Sequence, residues 1–312
     1  MNHLAIIGAG NVGTAIAFTA LNRGIARHLS LYDIDRPRAV GEMLDLRDGL
    51  QFVRPATIEA SDQISVCADA DVVVVTAGAK QRPGESRLDL AARNAGLLRS
   101  LLPEITRVAP EAVLLIVTNP VDVLTQLAVE MTGRVDGTVF GSGTVLDSSR
   151  LRHLIALRFG IAERHIHAHV VGEHGDSETV LWSSANIGGA PLTAAWTTGG
   201  GPIEGAEQAR LLHQVRNAAY EIIAGKGATS WAIALATAQI LDALEQTTQS
   251  SVLPVTGPLD PGLGLGDVCV SLPRLVDANG AGPILPLVAT EEELAAIRAS
   301  VAAIRETVEK IR

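Results

Sequence analysis

The chain has 312 residues, 47% of them hydrophobic and 19% charged, which excludes a disordered polymer and allows a large core and two domains. A formal net charge of −9 argues against a nucleic-acid partner, because phosphate binding needs clustered Lys and Arg. Cys67 and Cys269 are the only cysteines, so a disulfide framework and a zinc-ligand spacing are both excluded.

The chain starts with Met1-Asn2-His3 and a four-residue apolar run, Leu4–Ile7, too short for the core of a signal peptide and without a basic flank. No uninterrupted apolar stretch reaches the roughly 18 residues of a membrane span. The expectation is a soluble cytoplasmic protein with no membrane partner.

In chain order, Leu4–Ile7 reads as a strand and Thr14–Asn22 as a helix closed by Gly24. Leu29–Tyr32 is the next strand and Arg38–Leu46 the next helix. Val72–Val75 and Val113–Val117 are continuous apolar runs, the pattern of strands buried on both faces. Strands of that kind separated by helices predict an α/β fold, a Rossmann-type doubly wound parallel sheet. The texture changes near Gly141-Ser142-Gly143, so residues 1–143 are expected to form this domain and 144–312 a second, α+β domain. There the sequence predicts a helix at Ser148–Phe159, a strand at Ile166–Val171, helices at Ile203–Ala224 and Ala228–Leu244, and strands at Ser251–Val255 and Val268–Leu272. Apolar residues at Leu294, Ile297, Val301, Ile304, Val308 and Ile311, behind the acidic Glu291–Glu293, mark a C-terminal amphipathic helix.

Gly8-Ala9-Gly10-Asn11-Val12-Gly13 fits the G-x-G-x-x-G fingerprint and lies between a strand and a helix, the context its mechanism requires. Gly8 permits a tight turn, Gly10 lets backbone N–H groups approach a pyrophosphate, and Gly13 lets helix and strand pack closely. Asp33, twenty residues after Gly13, ends the second strand, where a carboxylate accepts from both ribose hydroxyls and repels a 2′-phosphate. The cofactor expected is NAD, with Asp35 a competitor for the role of Asp33.

A family resemblance becomes specific at Thr76-Ala77-Gly78-Ala79-Lys80-Gln81-Arg82-Pro83-Gly84-Glu85-Ser86-Arg87. It continues through Thr118-Asn119-Pro120-Val121-Asp122, Gly141–Arg150, Gly172-Glu173-His174-Gly175-Asp176-Ser177 and Lys226–Trp231. These motifs, in this order, resemble the L-lactate and malate dehydrogenases, and they span most of the chain. The resemblance implies an NAD-dependent 2-hydroxy acid dehydrogenase with a catalytic second domain. His174 is then the acid and base, since imidazole titrates near neutrality. Asp147 is implied to hydrogen-bond the far imidazole nitrogen, and Arg150, three residues on, to grip the substrate carboxylate with its planar fork. Arg87 is implied to ride a mobile loop and polarise the carbonyl oxygen. Asn119 holds the oxygen or the nicotinamide region, Ala77 and Gly78 line the cofactor, and Thr229 lines the substrate pocket.

The resemblance places Gln81 against the substrate side chain, where glutamine goes with pyruvate and lactate and arginine with a dicarboxylate. Arg82 keeps a malate reading open through a one-residue shift, and a bulkier 2-keto acid is a further alternative. Two other positions carry regulatory implications. Arg152 and His167 match the residues that bind fructose 1,6-bisphosphate in activated bacterial members, at a site between subunits of a homotetramer. His165-Ile166-His167-Ala168-His169 would put three imidazoles on one face of a strand, but without a completing carboxylate pattern no metal is expected. A non-catalytic NAD-binding protein would be expected to lack one of His174, Arg150 or Arg87, and all three are present.

Overall fold

Alternating residues of the apolar runs build two opposite faces of one sheet. The computed structural model describes all residues except 80–83, 85, 135, 195, 198 and 199, so Gln81 and Arg82 lie outside the described residues. Strands β1 (His3–Ile7), β2 (His28–Tyr32), β3 (Thr57–Ser61), β4 (Val72–Val75), β5 (Val113–Ile116) and β6 (Val139–Gly141) pair in parallel in the order β3-β2-β1-β4-β5-β6. Ala5, Ile7, Val73, Val75, Leu114 and Ile116 face one layer of helices, α3 (Arg87–Val108), α4 (Val121–Thr132) and α8 (Glu291–Ile311). Leu4, Ile6, Val72, Val74, Val113 and Leu115 face the other, α1 (Asn11–Arg23) and α7 (Trp231–Leu244). This two-sided cover explains why the strands read as unbroken apolar runs; each valine so buried contributes about 1.5–3 kcal/mol relative to exposure. The remaining helix of this half is α2 (Arg36–Asp48), N-capped by Asp35.

The second half contributes α5 (Val145–Phe159), five short strands, α6 (Ala206–Lys226), three longer strands, and the helices α7 and α8 that cover the parallel sheet. The short strands are β7 (Ile166–His167), β8 (Val170–Val171), β9 (Thr179–Val180), β10 (Asn186–Ile187) and β11 (Ala190–Pro191), in two small sheets. Strands β12 (Ser251–Gly257), β13 (Val270–Asp277) and β14 (Gly280–Ile284) run antiparallel and extend the main sheet beyond β6 to nine strands. Leu151, Ile155 and Phe159 of α5 pack on Leu211 and Val215 of α6 in a third core.

Three sequence expectations need correction. The strand expected over Ile166–Val171 is broken into β7 and β8, which belong to different sheets, so the three histidines do not share one strand face. Arg87 is not within a loop but is the first residue of α3, whose Ser86–Asp89 capping box fixes the helix start. The sequence reading also passed over α3, α4, β3, β6 and β14.

Candidate active site

The strand order reverses between β1 and β4, and the loops that follow these two strands form the first part of the site. Gly8 adopts φ of 106° and a Cβ there would lie 2.8 Å from the Ala77 nitrogen, while a Cβ at Gly13 would lie 1.9 Å from the Gly8 oxygen. Both glycines are required by chain packing alone. A Cβ at Gly10 meets nothing within 4 Å, and Gly10 caps α1 with no side-chain hydrogen bond. Open space therefore faces the helix N-terminus at the position where a pyrophosphate is held by N–H groups.

Asp33 lies just past β2, and its carboxylate accepts from the Ala9 N–H at 2.8 Å and the Asp35 N–H at 3.0 Å. Those bonds aim Asp33 at the glycine loop, whereas the Asp35 side chain is spent on capping α2 through Arg38. Asn94, buried on α3, links the next two loops: its oxygen accepts from the Ala79 N–H and its amide donates to the Asn119 carbonyl, each at 2.8 Å. Thr118 adds a bond from its hydroxyl to the Ala77 carbonyl at 2.9 Å. Ala77, Gly78 and Asn119 are thus held side by side, with the Asn119 side chain exposed and the peptide to Pro120 in the cis form. This cradle fits NAD: an open glycine turn at a helix N-terminus, with the Asp33 carboxylate hydrogen-bonded to that turn.

The second part of the site comes from the first turns of α4 and α5, where the helix N-termini favour carboxylates. Asp147, 1% exposed, accepts from His174 Nδ1 at 2.6 Å and from Arg150 Nη1 at 2.8 Å. Because a carboxylate only accepts, Nδ1 carries a hydrogen and Nε2 is the nitrogen left for chemistry. Burial works against the Asp147 carboxylate, but the His174 and Arg150 charges outweigh it and hold its pKa below the usual range. Burial likewise works against a charged His174, and Asp147, Asp122 and Glu178 overcome it, raising the imidazole pKa to about 9.

The backbone of His174 is anchored separately. Its N–H donates to Asp122 Oδ2 at 2.6 Å, and Asp122 Oδ1 accepts from Thr256 Oγ1 at 2.6 Å and Ser271 Oγ at 3.2 Å. Desolvation raises the Asp122 pKa to about 6 despite these bonds. Glu178 completes the cluster, with donor atoms of Asp147, His174 and Glu178 within 4.8 Å of one another. Both Asp147 oxygens are engaged by His174 and Arg150, so the trio reads as a proton-bearing group. Asp122 stood in a quoted motif without a role, and Asn94 and Glu178 were missed, because nothing local in the sequence marks a polar residue whose partners are remote.

Arg87 is paired at 2.7 Å with Asp176, two residues along the chain from His174. Thr229, half-buried, stands between α6 and α7. Arg152 points elsewhere, with Nε donating to the Ala168 carbonyl at 3.0 Å and Nη2 at 3.3 Å from His169 Nδ1. It lines a cavity of about 200 Å³ with Ser148, Ser149, Glu163, Arg164 and Gln239, while the exposed His167 does not line it.

Residues 2–141 match the model of the lactate/malate dehydrogenase NAD-binding domain, and residues 144–312 match that of the family's α/β C-terminal domain. The chain belongs to the lactate/malate dehydrogenase family. It is an NAD-dependent oxidoreductase of that family, with a Rossmann domain and a C-terminal α/β domain. Among relatives, it is 45% identical to the L-lactate dehydrogenase of Synechococcus sp. (strain JA-3-3Ab), covering 99% of both chains. It is 44% identical to that of Bifidobacterium animalis subsp. lactis (strain AD011), over 97% of this chain and 95% of the relative. A lactate dehydrogenase from a Medee basin deep-sea metagenome superposes with a TM-score of 0.92 at 34% identity, covering 99% and 98% of the two chains. The minor L-lactate dehydrogenase of Enterococcus mundtii gives 0.91 at 34% identity, covering 100% and 98%. Among the described residues, no helix is long and apolar enough to cross a membrane.

Proposed function

We propose that this chain is an L-lactate dehydrogenase that interconverts (S)-lactate and pyruvate, with residues 1–143 holding NAD and residues 144–312 supplying the catalytic groups. The observation that carries this reading is the 2.6 Å contact between His174 Nδ1 and Asp147, which leaves Nε2 as a proton donor while the Arg150 guanidinium pairs with the other oxygen of the same carboxylate. The names of the full-length relatives support lactate as the substrate.

Gly8, Gly10, Asn11, Val12 and Gly13 hold the pyrophosphate, Asp33 the adenosine ribose, and Ala77, Gly78 and Asn119 the nicotinamide side. Bound NADH supplies the hydride that reaches C2 of pyruvate. Arg150 grips the substrate carboxylate and so sets which face of C2 is presented. His174 holds its proton at Nε2 and gives it to the former carbonyl oxygen as the C2–H bond forms, so pyruvate, a hydride and a proton become lactate. Asp147 stays ionised and stabilises the imidazolium before transfer. Arg87, on leaving Asp176, places positive charge on the same oxygen, and Thr229 and Gln81 close the substrate side. In the lactate direction the neutral imidazole takes the proton back.

Activation by fructose 1,6-bisphosphate through Arg152 and His167 in a homotetramer is the regulatory part of this proposal and rests on the sequence resemblance; the cavity beside Arg152 holds Glu163 as well as Arg164 and is not lined by His167. For the catalytic assignment, His174→Asn is expected to lower pyruvate turnover by about 10²–10⁴-fold while NADH still binds, as read by fluorescence. Retained turnover would remove His174 from the mechanism.

A further inference from the structure

Glu178 lies four residues beyond His174, in a turn closed by its own N–H donating to the Gly175 carbonyl at 3.2 Å. It is 2% exposed, and its Oε1 has no hydrogen-bond partner among the described residues. Arg216 of α6 holds the Glu178 main chain by donating from Nη2 to its carbonyl, while the buried Arg216 Nε also lacks a partner. A buried carboxyl oxygen without a partner is costly, and here the carboxyl has an oxygen within 4.8 Å of a carboxylate oxygen of Asp147 and a ring nitrogen of His174.

We propose that Glu178 is a positioning residue for proton transfer, a second buried carboxyl whose charge acts with that of Asp147 to hold the proton on His174. The inference rests on the reading of His174 as the proton donor.

The charges that act on the pair come from three helices. Asp147 and Arg150 face it from α5, Asp122 from α4 and Arg216 from α6. Burial and the Asp147 charge raise the Glu178 pKa to about 8, against the pull of His174, Arg216 and Arg150. His174 is raised to about 9, in part by the Glu178 charge. A protonated His174 favours ionised Glu178, and ionised Glu178 in turn resists loss of the imidazole proton. Asp147 alone would hold the ring geometry; Glu178 extends the proton-bearing form to higher pH.

The test is the pH profile of pyruvate reduction in the NADH-loaded enzyme for the wild type, Glu178→Gln and Glu178→Asp, with His174→Asn as control. Glu178→Gln keeps the volume and removes the charge. Its alkaline midpoint is expected about one pH unit lower, a rate loss of about tenfold on that limb, with Glu178→Asp falling between. A purely structural role would scale the rate at all pH values and leave the midpoint in place, and coincident midpoints in folded variants would overturn the proposal. If the variants do not fold, the infrared carboxyl band of the wild type decides. A buried carboxyl already ionised at the alkaline midpoint of turnover is expected, and a buried carboxyl that stays protonated through that midpoint would overturn the proposal. Turnover retained in His174→Asn would instead mark failure of the His174 assignment itself.

Discussion

Arg87 and Asp176 form a two-contact ion pair, Nη1 to Oδ2 at 2.7 Å and Nη2 to Oδ1 at 3.2 Å, that ties the first turn of α3 to the segment carrying His174. The Tyr220 hydroxyl donates to the same carboxylate at 3.1 Å, and the Arg87 guanidinium carbon lies 5.8 Å from the centre of the Tyr220 ring. The charge assigned to the substrate oxygen is thus held next to the proton donor by a partner it can exchange. The pair is exposed on both sides, and surface pairs of this kind contribute about 1 kcal/mol or less to stability.

Arg87→Gln therefore separates catalysis from folding. Loss of one donor to the developing oxyanion is expected to lower kcat by about 10²–10³-fold. The melting temperature should stay within a few degrees of wild type. Steady-state kinetics with pyruvate and a thermal melt check both halves, and a variant with wild-type kcat would leave Arg87 as an ordinary surface cation.

Asp147→Asn keeps the shape of the His174 partner and removes its charge. The expected loss in kcat is about 100-fold, the upper end of the range for outer partners of a functional imidazole. Stability should change its pH dependence as well. The folded-state pKa of His174, about 9, lies above the ordinary imidazole value of 6.5, so the favourable contribution is complete below 6.5 and is lost as the pH rises through 9. Thermal melts of the wild type should fall across that window, and those of Asp147→Asn should fall less.

Much of the site could be read from the sequence because its members lie in short segments. The glycine turn, Asp33, the Asp147–Arg150 step along α5 and the segment around His174 each carry their own local pattern, and the structure brings the last two into contact. What the sequence hid is the supporting polar network. Asp122 meets Thr256 and Ser271, 134 and 149 positions away, and Asn94 reaches across 25 positions to the Asn119 carbonyl. No periodicity encodes such contacts. The long helix α3 was passed over although Ser86 and Asp89 form a capping box and Leu98, Leu101, Leu102 and Ile105 mark its buried face; Pro103 lies inside it and disguises the pattern. Strand β6 has three residues and gains its place only from pairing with β5 and β12.

The two glycines of the cofactor turn should fail in different ways. Gly13→Ala would put its Cβ 1.9 Å from the Gly8 oxygen, so the turn must open and the melting temperature should fall. Gly10→Ala meets no neighbour within 4 Å and should melt like the wild type. Its methyl group occupies the space through which the pyrophosphate approaches, so NADH affinity should fall by about tenfold or more, about 1.4 kcal/mol. Calorimetric titration with NADH and a melt of each variant distinguish these outcomes.

The choice of substrate is the central claim, and NADH oxidation with pyruvate against oxaloacetate tests it most directly, with 2-oxoisocaproate as a third substrate and fructose 1,6-bisphosphate added in a parallel series. The account predicts a kcat/KM for pyruvate higher by about 100-fold or more, roughly 2.7 kcal/mol of discrimination, because it proposes Gln81 as the residue facing the substrate side chain, and a glutamine there would leave a second carboxylate unpaired. A preference for oxaloacetate would contradict it and make Arg82 the residue that faces the substrate.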